Sequence, residues 1–187
     1  MRLIPILAAV VVAAPLAAQQ TTLIAAPSTR ATSVVSVSPP RVQGQPAPPA
    51  LTITIDYGQP HVRGRQVPTE LATDGTVWRT GANASTTLTT QVDLTIGGAA
   101  VPKGAYSLFS MREKGQYVLI INTRTGQEDT DHDASKDFVR VPLRATTATE
   151  VMESLQIAMV PASEGPARGV LTIAWGTLHL STDWLVR

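Results

Sequence analysis

The chain has 187 residues, enough for one domain around a single core, with 43% hydrophobic and 16% charged residues. It has no cysteine and a formal net charge of +1, which excludes disulfides, thiol chemistry and lipid attachment through cysteine. It also removes any electrostatic bias toward nucleic acid or anionic lipid.

Residues 1–18 read as a secretory signal peptide. Met1 and Arg2 form a minimal positive start, residues 3–16 are apolar, and Ala17-Ala18-Gln19 supplies small residues and a polar exit. Leu16 occupies a position that prefers a small residue. Pro5 and Pro15 bracket a run shorter than the roughly 18 residues of a spanning helix. The expected mature protein is exported, periplasmic or extracellular, with no membrane span and no cysteine-linked lipid. Loss of Arg2 takes the formal charge from +1 to 0. Residues 19–50 are mostly Thr, Ser, Ala, Pro and Gln with almost no charge. Pro39, Pro40, Pro46, Pro48 and Pro49 make this a linker, and Val34, Val35 and Val37 allow a short edge strand over 33–38.

From residue 51 to 187 the texture is that of one β domain. Leu51, Ile53, Ile55 and Tyr57 alternate with Thr52, Thr54 and Asp56. Val92, Leu94 and Ile96 begin the next strand, beyond the hydroxyl run Ser85, Thr86, Thr87, Thr89 and Thr90. Strands follow over 105–111 and 116–122, the latter apolar on both faces and so expected centrally. A polar loop spans 122–135. Further strands cover 138–145, 151–160, 169–175 and 177–185. The fold expected is all-β, a single antiparallel β-sandwich or jelly-roll-like domain with little helix.

Residues 78–83 (Trp-Arg-Thr-Gly-Ala-Asn) gather the most chemistry. The Arg79 fork suits a carboxylate, a phosphate or hydroxyls, and Asn83 both donates and accepts. Gly81 and Asn83 tolerate positive φ, so the backbone N–H groups of 81–83 could form a small anion nest. The same residues also suit a turn in which Arg79 pairs with Asp56. Arg63 and Arg65, with His61 and Tyr57, form a second polar cluster after the first strand. His61 could be a general base, but no Ser or Cys in a recognisable nucleophile setting accompanies it in the sequence, so no catalytic residue is assigned. Asp129, Asp131 and Asp133 have the spacing that opens a calcium loop, but the sixth position is Ala134 and the twelfth Arg140. No metal site or cofactor is assigned; these three carboxylates are the candidates for one. Trp175 alternates with Leu171 and Ile173, and Trp184 with Leu178 and Leu180, which places both in the core and His179 on the solvent face.

The strings YGQPHVRGR (57–65), VWRTGAN (77–83), GGAAVPKGAYSLFS (97–110), LIINTRTGQ (119–127), RVPL (140–143) and LTIAWG (171–176) occur in order. Together they resemble the exported bacterial domain-of-unknown-function 2911 family, from about residue 51 to the C-terminus. Two family aromatics are missing between 67 and 75, and a further Trp gives way to Glu128, which implies a shallower, more polar site. The resemblance implies no reaction. The function expected is a non-catalytic extracytoplasmic binding module for a small polar or carbohydrate-like ligand or an envelope partner, with no nucleic acid bound. A metal-assisted hydrolase and a purely structural envelope component are the alternatives.

Overall fold

The computed structural model describes residues 22–67, 73–127 and 131–187; the signal-peptide reading of 1–18 lies outside them. It is nearly all-β, built from two antiparallel sheets. The first sheet runs β1 (Arg30–Val37), β2 (Leu51–Gly58), β4 (Thr86–Thr90), β7 (Gly104–Glu113), β8 (Gln116–Asn122) and β9 (Asp137–Pro142). The short β3 (Val77–Trp78) also pairs with β7. The second sheet runs β10 (Arg144–Pro161), β11 (Arg168–Val186), β5 (Leu94–Ile96) and β6 (Ala99–Val101). Among the described elements there is also one 3-10 turn, Ala134–Lys136.

Period-two alternation explains the core. Ile53, Ile55, Leu88, Leu108, Leu119, Ile121 and Val141 from the first sheet meet Leu155, Ile157, Leu171, Ile173, Trp175 and Trp184 from the second in one buried cluster. Two stacked sheets whose inner residues interdigitate form a sandwich. Trp175 and Trp184 are buried as their alternation requires. Gly176, at φ 60°, absorbs the extra residue that shifts the buried set of β11 from odd to even positions. One strand of 19 residues therefore replaces the two expected over 169–185.

Several elements differ from the sequence expectation. β1 begins at Arg30 and pairs with β2 over all eight residues, reaching well into the segment read as linker. The hydroxyl run is itself a strand, β4, lying between β2 and β7 with Thr86, Leu88 and Thr90 buried. Its β-branched threonines suit a pleated surface, and their hydroxyls find local partners: Thr86 donates to the Thr80 carbonyl at 2.8 Å and Thr90 to that of Val92 at 2.7 Å. The strand expected over 138–145 is broken at Leu143, where the chain leaves the first sheet for the second. Pro142, without an N–H, ends edge strand β9 at that corner. β8 lies between β7 and β9, and its second apolar face meets Phe109 and Met111 in a small cluster on the outside of the first sheet. His179 is only half exposed, and its Nε2 is buried without a hydrogen-bond partner.

The outer face of the first sheet carries a row in strand register: Thr32, Asp56, Thr87, Ser107, Asn122 and Asp137, one from each of β1, β2, β4, β7, β8 and β9. The row lines up because a register shift between Ile121 and Asn122 brings Asp137 opposite Asn122.

β3 and β4 run end to end along β7, Trp78 opposite Ser110 and Thr86 opposite Leu108. Residues 79–85 therefore leave the sheet line and return to it. That excursion crosses Gly58, where an added Cβ would be driven into the Ala82 carbonyl oxygen. Gly58→Ala is expected to destabilise the fold by about 1–3 kcal/mol, because backbone cannot yield as a side-chain tip does. A lowered urea midpoint at unchanged slope checks this; an unchanged midpoint shows that the crossing relaxes freely.

Candidate functional site

Residues 78–83 are held from several sides. The Trp78 indole stacks on Trp175, ring centroids 5.4 Å apart and planes 12° from parallel. Thr80 is fully buried, adopts φ 53°, and donates from Oγ1 to the Ser110 hydroxyl at 3.0 Å. A β-branched residue in the left-handed region is strained and persists only where its surroundings fix it. Gly81 is required by proximity, since a Cβ there would lie 2.6 Å from Thr86 Oγ1. The positive φ values fall on Thr80 and Asn83, not on Gly81. Arg79 is half-buried and donates from Nη1 to the Asn83 carbonyl at 3.0 Å; Asn83 Nδ2 reaches the Ser28 carbonyl at 3.3 Å. Asp56, the carboxylate considered for Arg79, is paired instead with Arg30. Arg30 also donates to the Ala84 carbonyl at 3.0 Å, so it ties β1 to the end of the excursion. Sequence reasoning missed Arg30; the signal that could have found it is an arginine in an otherwise nearly uncharged stretch.

The second cluster follows β2 and lies against the middle of β10, with the Val62 N–H on the Glu153 carbonyl and the Leu155 N–H on that of Pro60. His61 forms an isolated bridge with Ser154 and its Nδ1 lies 2.7 Å from Ser154 Oγ. Arg63, at φ 48°, donates its backbone N–H to Glu153 Oε1 at 3.0 Å. Arg65 folds back, with Nε on the Val62 carbonyl at 3.1 Å and its guanidinium carbon 5.0 Å from the centre of the Trp175 ring. Tyr57 is 5% exposed and belongs to the core cluster. A cavity of about 290 Å³ is lined by Arg65, Gln66, Val67, Glu153 and Thr177, among others. Arg79 and Asn83 do not line it. The two clusters thus share the Trp78–Trp175 stack as a support but present separate polar surfaces. Neither Glu153 nor the indole beneath Arg65 was assigned to a site by the sequence, because 88 residues separate Arg65 from Glu153.

Of the three acidic candidates, Asp129 lies outside the described residues. Asp131 lies 3.6 Å from Arg124, and Asp133 caps the 3-10 turn, accepting from the Ser135 N–H at 2.9 Å. Hydrogen bonds from Ser135 hold the Asp133 carboxyl below its ordinary range. Among the described residues no three His, Asp or Glu side chains gather in a metal-binding group. The more enclosed acid is Asp137. His132 Nε2 lies 2.6 Å from its Oδ1, Asn122 Nδ2 donates to the same oxygen at 2.9 Å, and Arg140 donates to Oδ2 from Nη2 at 2.9 Å. The His132 and Asp137 side chains are 10% and 11% exposed, and the imidazole meets Phe109 edge-on at 5.0 Å.

Burial pushes the Asp137 carboxyl up, but the hydrogen bonds from His132, Asn122 and Arg140 outweigh it and hold the pKa below its ordinary value. A depressed carboxylate contributes stability that is present above its unfolded pKa, about 3.9, and lost as pH falls through the folded value. Asp137→Asn is therefore expected to lower stability by about 1.5–3 kcal/mol at neutral pH. It should also flatten the loss of stability below about pH 4, as read from urea midpoints across pH. For residues 78–83, Thr80→Ala should cost about 1–3 kcal/mol by orphaning buried partners, and Arg79→Ala about 1 kcal/mol or less. Equal losses in the two variants would contradict the joint described.

Residues 38–183 match the family described as "Protein of unknown function (DUF2911)". No curated protein and no solved structure matches the chain. The matched span contains the 79–85 excursion, the 61–67 loop and every strand from β2 to β10. With most of its length inside that match, the chain belongs to the DUF2911 family.

Proposed function

We propose that this protein is an exported, non-catalytic binding module for a small polar, carbohydrate-like ligand, and that the ligand sits in the cavity of the 62–67 loop. The observation that carries this reading is the pairing of opposite polar characters on the cavity wall. Arg65, braced over the Trp175 ring and bonded to the Val62 and His61 carbonyls, sets a cation on the wall, and Glu153 on β10 offers a carboxylate acceptor. A hydroxyl both donates and accepts, so adjacent sugar hydroxyls satisfy such a pair, whereas a simple anion or cation satisfies half of it. Gln66 and Thr177 add an amide and a further hydroxyl to the wall.

Arg63 is exposed beside the cavity and supplies a second cation from outside, while His61, tied to Ser154, orients the loop. Arg79 and Asn83 belong to the joint between β3 and β4 in this reading, since neither lines the cavity and both bond carbonyls of the joint and its surroundings. Export is supported by the charge, apolar run and exit residues of 1–18.

Mono- and disaccharides screened by thermal shift and titrated by calorimetry test the proposal. At least one should raise the melting temperature of the wild type. Arg65→Ala and Glu153→Gln should each weaken it about 10-fold or more, and Arg79→Ala should leave affinity unchanged. A panel in which nothing binds wild type sinks the reading, as does a ligand indifferent to both Arg65 and Glu153.

A further inference from the structure

β1 and β2 are antiparallel neighbours, and their register runs out to Val37 opposite Leu51. Strands joined in this way are closed by a turn of about two to five residues. The chain instead places residues 38–50 in the connection, far more than closure requires. Both ends lie in one sheet, so the segment separates no domains. Its length asks for a reason outside the fold.

The residues of the loop set its backbone. Pro39, Pro40, Pro46, Pro48 and Pro49 hold φ at about −65°, and each biases the residue before it toward extended backbone. Both legs of the loop are thus preset toward polyproline II. Residues 42–45 form the tip, where the Gln45 N–H donates to the Val42 carbonyl at 3.2 Å and Gly44 takes φ 81°. Residues 39–49 make no other hydrogen bond among the described residues. All of 38–50 is exposed except Pro48, which is half-buried. A polyproline II helix has about three residues per turn, so Pro46 and Pro49 share a face that Pro48 does not. The burial follows that division. Arg41, the sole charge of the loop, is exposed and has no ion pair among the described residues. It flanks the tip on one side as Pro46 does on the other.

We propose that this loop docks a partner protein through a groove lined by aromatic side chains and rimmed by carboxylates. Pro46 and Pro49 seat against the aromatic faces, and Arg41 meets the acidic rim. Prolines carry no N–H to desolvate, and their carbonyls accept from the indole and phenol groups of such a groove. A backbone already held extended also loses little freedom on binding.

WW and SH3 domains, which read this backbone conformation, serve as probes in a panel titrated into the full chain by calorimetry. At least one should bind saturably, and more weakly as salt is added. Pro46→Ala together with Pro49→Ala should weaken that binding about 10-fold or more. Arg41→Gln should weaken it about threefold and remove most of the salt dependence. All three positions are exposed, so these variants should melt like wild type. Replacing residues 38–50 with a two-residue Asn-Gly turn should abolish binding and leave the melting temperature unchanged or raised. No binding of any probe to wild type overturns the proposal, as does unchanged affinity in the Pro46 and Pro49 variant. A shortened chain that melts well below wild type also overturns it, by assigning the loop to the fold. Arg65→Ala should leave probe binding intact, so failure here and failure of the sugar site are read separately.

Discussion

The Trp78 indole lies flat against that of Trp175, and the contact joins β3 of one sheet to β11 of the other. Without cysteine, no covalent crosslink can set the spacing of the two layers, so packing has to do it. Two indoles bury more area than any aliphatic pair, and an offset stack adds a geometric preference of about 0.5–1.5 kcal/mol beyond area. The position of Trp78 then determines where the chain must leave the sheet at Arg79 and re-enter it at Thr86. On the other strand, Trp175 provides the surface on which Arg65 is braced. One contact thus sets both the joint and the wall of the sugar-binding cavity proposed for the 62–67 loop.

The excursion between β3 and β4 is tolerated because its polar groups have partners and its backbone has room. Gly58 lets the Ala82 carbonyl cross closely, and Gly81 makes space for the Thr86 hydroxyl. That hydroxyl bonds the Thr80 carbonyl, and the strained Thr80 is tied in turn to Ser110. Arg30 closes the structure from β1 by engaging Asp56 and the Ala84 carbonyl. Buried polar groups of this sort add little net stability while paired, but become expensive singly when one partner is removed. The segment therefore behaves as a unit.

Local periodicity made much of this fold readable. Ile53, Ile55 and Tyr57 announced β2, and Leu171, Ile173 and Trp175 announced half of β11, because one buried face forces alternation. β4 shows no apolar alternation because its inward positions are largely threonine, whose hydroxyls bond nearby carbonyls. The first half of β10 escaped for a different reason: residues 144–150 are largely exposed and carry no face to read. In the candidate site, the 61–67 loop was visible as a polar cluster, yet its partner Glu153 and its support Trp175 arrive from distant strands. Which carboxylate meets which guanidinium is a question of register, and Asp56 went to Arg30 because β1 lies antiparallel beside β2.

The outer row from Thr32 to Asp137 shows the same limit on a larger scale. Six residues spread over more than a hundred positions share one line only because each strand pair has its particular register, including one shift of a single residue. That shift places the Asp137 carboxylate beside Asn122, where His132 and Arg140 also reach it. Without it, alternation would turn Asp137 toward the opposite face and leave the His132 ring over Phe109 with no acid to accept from it. The irregularity is thus what converts a solvated acidic loop into an enclosed ion-pair network. It also anchors the loop leading into β9 against the small outer cluster of Phe109, Met111 and Ile120, so polar pairing and apolar cover on that face hold each other in place.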